Sequence, residues 1–74
     1  MEACERLAQK AGLTSREAEV FELLARGYTL PGVSEALNIS LNTVRSHSKS
    51  IYRKLGVDSK QNLIAAVERE MGRR

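Results

Sequence analysis

Between Ser40 and Leu55, the residues Asn42, Arg45, Ser46, Lys49 and Arg53 recur at intervals of three, one, three and four. At 3.6 residues per turn, such positions share one face of a helix. That face holds hydrogen-bond donors and cations and no carboxylate. Arginine and lysine donate to the acceptor-rich edge of guanine and, with serine and asparagine, to phosphate oxygens. The major groove of duplex DNA is wide enough for one helix to bring them there. A solvated structural face usually mixes both signs of charge, but spacing alone does not separate the two possibilities.

No other chemistry finds its constellation. His47 is the only histidine and Cys4 the only cysteine, so neither a metal site nor a disulfide framework assembles within one chain. Ser40, His47 and Asp58 have the residue types of a hydrolytic triad. Ser40, however, reads as a helix cap, and nothing supplies an oxyanion hole. No enzymatic activity, cofactor or small-molecule ligand is expected of this segment. Tyr28 and Tyr52 fall on different helical segments and are expected to pack locally rather than stack on single-stranded bases.

A recognition face needs a scaffold, and 74 residues with 42% apolar content allow one small, mainly aliphatic core. Turn signals at Gly12, Gly27, Asn38 and Gly56 cut the chain into helical lengths. Thr14 and Glu17 have the spacing of a capping box. They head a helix that ends at Gly27, with Val20, Phe21, Leu23 and Leu24 inward and Arg16, Glu19, Glu22 and Arg26 solvated. Thr29 caps a second helix with Val33, Ala36 and Leu37 inward. Its opening, Leu30-Pro31-Gly32, is unusual: Pro31 is tolerated in the first turn, while Gly32 costs about 1 kcal/mol relative to alanine inside a helix.

Ser40 caps the third helix, whose inner side is Val44, Ser48, Ile51 and Leu55. Asp58 or Ser59 caps a last one with Leu63, Ile64, Val67 and Met71 inward. Ala3, Leu7, Ala8 and Ala11 permit a short extra helix whose free end is expected to fray. No segment supports a strand. The expectation is an all-α, four-helix bundle-like domain over residues 13–71, with a linker or short extra helix over 1–12 and a tail over 72–74. The tight Asn38-Ile39-Ser40 connection, with Ile39 plugging the angle between two helices, is that of a helix-turn-helix. In that geometry Arg45 and Lys49 reach deepest and Arg53 drifts toward phosphate.

Charge is uneven, with a net of −2 over Met1–Ile39 and +5 over Ser40–Arg74. A basic half with no sustained apolar face favours nucleic acid over a membrane surface. The unpaired cysteine and the lack of a long apolar run fit the cytoplasm, with membrane anchoring left open for a longer parent chain.

From Leu13 to Ala66 the chain resembles the LuxR/GerE-type helix-turn-helix domains found at the end of NarL/FixJ response regulators of bacteria. Leu13-Thr14-Ser15-Arg16-Glu17-Ala18-Glu19-Val20 is similar to that family's opening. Ile39-Ser40-Leu41-Asn42-Thr43-Val44-Arg45-Ser46-His47 is similar to its turn and recognition helix, and Ile51-Tyr52-Arg53-Lys54-Leu55-Gly56-Val57 to the segment after it. The resemblance implies sequence-specific binding of promoter DNA in transcription regulation. In that role Arg45 and Lys49 read bases with help from Ser46, and Thr43 and Arg53 touch the backbone.

Asn42 is a further candidate for base contact, and Thr29, His47 and Lys54 are candidates for phosphate contact. The resemblance also implies a homodimer through the last helix, where Asn62, Ala65, Ala66 and Arg69 lie on the outer side and small residues permit close approach. Leu30, Pro31 and Gly32 depart from the polar residues and glutamate common in the family, Ser50 from an asparagine, and Lys60 from an arginine, with loss of the planar fork. The departures at 30–32 put phosphate contacts from the second helix in doubt and keep a second reading open. On that reading the helical scaffold is a protein-interaction module docking RNA polymerase or another regulator.

Overall fold

The computed structural model describes residues 2–72 as five helices. They are α1 (Glu2–Ala11), α2 (Ser15–Ala25), α3 (Leu30–Leu37), α4 (Leu41–Leu55) and α5 (Lys60–Met71), with no strand among the described residues. Each helix after α1 begins where a hydroxyl replaces the acceptor that its first turn lacks. Thr14 Oγ1 accepts from the Glu17 N–H at 3.1 Å while Glu17 Oε1 accepts from the Thr14 N–H at 2.9 Å, so the expected capping box is complete. Thr29, Ser40 and Ser59 each accept at 3.1 Å, from the N–H of Gly32, Thr43 and Asn62 respectively. Gly32 therefore serves the cap through its backbone although it has no side chain to return the bond.

The helix ends are equally local in origin. Backbone bonds Leu13 N–Ala8 O (2.9 Å), Tyr28 N–Leu23 O (3.1 Å), Ile39 N–Ser34 O (3.1 Å) and Val57 N–Tyr52 O (2.9 Å) close the last turns of α1 to α4. Each closure passes over a residue at positive φ, namely Gly12, Gly27, Asn38 or Gly56. Asn38, at φ 56°, is the one non-glycine among the described residues to do so, and asparagine tolerates that region better than most side chains.

α2 is the hub of the fold, packing against each of the other four helices. Val20, Phe21 and Leu24 from α2 meet Val33 of α3, Val44 and Ile51 of α4, and Leu63 and Val67 of α5, all essentially inaccessible to solvent. α1 is fully formed and docked against this core, burying Ala3, Cys4 and Ala8. The short extra helix that the sequence permits within residues 1–12 thus forms, running ten residues from Glu2 to Ala11. It closes over α2 and α5 through small side chains that the sequence offers too sparsely to look like a core face. Met1, within that expected segment, and Arg73 and Arg74 of the expected tail lie outside the described residues.

Two inward assignments are corrected. Ala36 is exposed, because α3 turns Leu30, Val33 and Leu37 toward the core, three and four residues apart. Met71 is 61% exposed, because the inward stripe of α5 runs Leu63, Val67, Glu70. Glu70 occupies the position an apolar side chain was expected to take, and it does so with partners. Arg6 Nε lies 3.0 Å and Lys10 Nζ 3.1 Å from its carboxylate, and Arg6 also donates to the Glu70 carbonyl at 3.2 Å. Such pairing is what makes a buried carboxylate tolerable.

Candidate nucleic-acid interface

The turn that aims α4 is held from both sides. Asn38 reverses the chain, the Ser34 hydroxyl donates to the Ile39 carbonyl, and Ile39 is half-buried against the core. Ser40 then caps α4, and its Oγ lies 2.8 Å from Thr43 Oγ1. With Val44, Ser48 and Ile51 buried as expected, the opposite face of α4 is set by helical geometry alone.

That opposite face presents Asn42, Arg45, Ser46, Lys49 and Arg53, all exposed. None of the five side chains has a hydrogen-bonding or ionic partner among the described residues. Most cations elsewhere differ: Arg6 and Lys10 bind Glu70, Arg16 lies 2.7 Å from Glu19, and Arg26 lies 3.5 Å from Glu22, while Arg69 on α5 is likewise without a partner among the described residues. α4 contains no carboxylate of its own, so nothing on the helix neutralises this row. Unpaired donors held in one direction by a buried opposite face are what an acceptor-rich polyanion needs.

The remaining expected contact residues are placed less uniformly. Thr43 is exposed beside the cap, and His47 is half-buried. Thr29 is exposed, with its oxygen engaged by Gly32 and its own O–H still available to donate. Lys54 stands apart from the others. Its Nζ lies 2.8 Å from Glu17 Oε1 and 3.5 Å from the Gly12 carbonyl, and its side chain is 29% exposed. The Lys54 ammonium, the Ser50 hydroxyl and the Thr14 backbone N–H together hold the Glu17 carboxyl down to about 2.

On α5, Asn62 and Arg69 are exposed and Ala65 and Ala66 half-buried, with the Asn62 amide donating to Asp58 at 2.6 Å. Lys60, at the head of the same helix, donates to the Tyr28 carbonyl and so ties α5 to the loop before α3. This tether and the Glu17–Lys54 pair escaped the sequence reading, since neither has a local spacing that signals it. No group of three or more metal-ligating side chains occurs among the described residues, and no helix among them is long and apolar enough to cross a membrane.

Residues 11–67 match the family described as bacterial regulatory proteins, luxR family, with its GerE-type domain. The chain is 40% identical over 52 residues to the oxygen regulatory protein NreC of Staphylococcus aureus strain JH9, and equally to those of strains JH1 and Mu3. Each alignment covers 70% of this chain and 24% of the relative, so the chain spans about a quarter of the length of the curated relatives it matches. No solved structure matches. The matched span takes in the helix-turn-helix, the row on α4 and most of α5, and it belongs to DNA-binding regulators rather than enzymes. The chain belongs to the LuxR family of bacterial regulatory proteins.

Proposed function

We propose that this chain binds double-stranded promoter DNA sequence-specifically, as the C-terminal output domain of a longer bacterial transcription regulator, with α4 inserted in the major groove. The observation that carries the reading is the exposed, acid-free row Asn42, Arg45, Ser46, Lys49 and Arg53, without a side-chain partner among the described residues. In this reading Arg45 and Lys49 donate to base edges, with Ser46 and Asn42 beside them, while Thr43, His47, Arg53 and the hydroxyl of Thr29 meet phosphates. Lys54, its ammonium engaged by Glu17, is left out of the phosphate set. Two copies pair through the α5 stripe of Asn62, Ala65, Ala66 and Arg69, which sets half-sites about one helical turn apart. The unit that acts is residues 13–71 with α1 packed against it, working in the bacterial cytoplasm where its DNA is.

Selection of preferred duplexes from a random pool, followed by binding with single variants, tests this. Arg45→Ala or Lys49→Ala should cost about 1–3 kcal/mol on a selected site and relax preference at one base position. Equal losses on selected and random duplexes would remove these residues from base reading.

A further inference from the structure

Glu17 does more than complete the capping box of α2. The Oε1 atom that accepts from the Thr14 N–H at 2.9 Å also takes Lys54 Nζ at 2.8 Å, and the Ser50 hydroxyl helps to hold the same carboxyl below its usual range. Ser50 and Lys54 both belong to α4. One side chain, 7% exposed, therefore joins the first turn of α2 to the last turns of the recognition helix, across 37 residues of sequence. With Glu17 shielded and Lys54 partly exposed, this contact is screened less than a surface ion pair and ties the two helices together.

The position of Lys54 has two consequences for DNA. It lies roughly 14 Å along the helix axis from Arg45, at 1.5 Å per residue, so pinning it fixes the pitch at which α4 leaves the scaffold. Base readout depends on that pitch, since side chains must meet base edges in a fixed geometry. Lys54 is also next in sequence to Arg53, whose guanidinium has no partner among the described residues. A free ammonium there would add a phosphate contact that strengthens binding to every sequence alike, without adding discrimination.

We infer that Glu17 is a positioning residue for DNA recognition: through Lys54 it sets the orientation of α4 and withholds one cation from the phosphates, which raises discrimination between sequences. This rests on the DNA-binding reading above. Glu17→Gln leaves an amide oxygen to accept from Thr14 and removes the charge that holds Lys54.

The test is a salt titration of the 74-residue chain on a duplex selected by the wild type and on a random-sequence duplex. In Glu17→Gln the ratio of selected to random affinity should fall about tenfold, within the range of one misplaced base contact. On the random duplex the log–log salt slope should steepen by about 0.9 as Lys54 reaches a phosphate. Adding Lys54→Gln should restore the slope but not the ratio. Lys54→Gln alone leaves Glu17 its Thr14 and Ser50 partners, and it should lower the ratio at unchanged slope; it decides the matter if Glu17→Gln does not fold. An unchanged ratio in Lys54→Gln, or an unchanged slope in a folded Glu17→Gln, overturns the inference even if melting temperature drops. A wild-type chain indifferent to DNA overturns the DNA-binding reading and this inference with it.

Discussion

Arg6 Nε and Glu70 Oε2 lie 3.0 Å apart although 64 residues separate them, and both fall outside the span 11–67 that matches the LuxR family. A helix added before the family domain thus grips the end of the last helix through a carboxylate that Lys10 also holds. Arg6 and Lys10 keep the Glu70 carboxyl below its usual range. The grip belongs to the helix on which dimerisation is proposed, so α1 and the pairing of two copies share one support.

Cys4 reports on that support. It is buried on the inner face of α1, and burial pushes its thiol up from the usual range, so a thiol reagent should label the native chain slowly. Glu70→Ala should speed labelling under native conditions while leaving the helical circular dichroism of α2 to α5 in place. Labelling at the wild-type rate would mean that the apolar side of α1 suffices to hold it.

Acid should weaken the fold through Glu17. Its carboxyl titrates near 2 when folded, against about 4.3 for an unperturbed glutamate. The folded state therefore binds fewer protons in that interval, and the stabilisation is present in full above the unfolded value and lost as pH falls through the folded one. Chemical denaturation at several pH values should show stability declining from about pH 5 toward pH 2, with a flatter decline in Glu17→Gln. Identical pH profiles for the two proteins would exclude Glu17 as the source.

Core and surface positions should separate sharply. Phe21 is fully inaccessible at the hub helix, and Phe21→Ala should cost about 3–5 kcal/mol, enough to unfold much of a domain this small. Met71→Lys, at a position 61% exposed, should change stability by no more than about 0.5 kcal/mol. Thermal melts followed at 222 nm would distinguish these outcomes.

Arg53 is expected to act on phosphate rather than on bases. Arg53→Ala should lower affinity for all duplexes alike and shallow the log–log salt slope by roughly 0.9. A slope equal to that of the wild type would take Arg53 off the backbone.

Much of the fold was legible because its cues are local. The four capping hydroxyls and the turns at Gly12, Gly27, Asn38 and Gly56 act within a few residues of themselves, and the structure bears out each of them. The recognition row was legible for the same reason: once Val44, Ser48 and Ile51 are inside, helical periodicity sends Arg45, Lys49 and Arg53 outside. Ala36 and Met71 were misplaced because periodicity gives a direction without saying which neighbour fills it. On α5 that neighbour is an ion cluster, which draws Glu70 inward and leaves Met71 outside.

From residue order alone came the helices, their caps, the angle-plugging Ile39 and the identity of the face that looks outward, since all of these follow from interactions within one or two turns. Packing alone decided which cations are free. Among the described residues Lys54 is bound and Arg53 is not, although they are adjacent and equally charged in the sequence, because the fold brings the Glu17 carboxylate to Lys54 and none of the described residues to Arg53. Ionic partnership across 37 or 64 residues is a property of helices in contact, and no spacing along the chain encodes it.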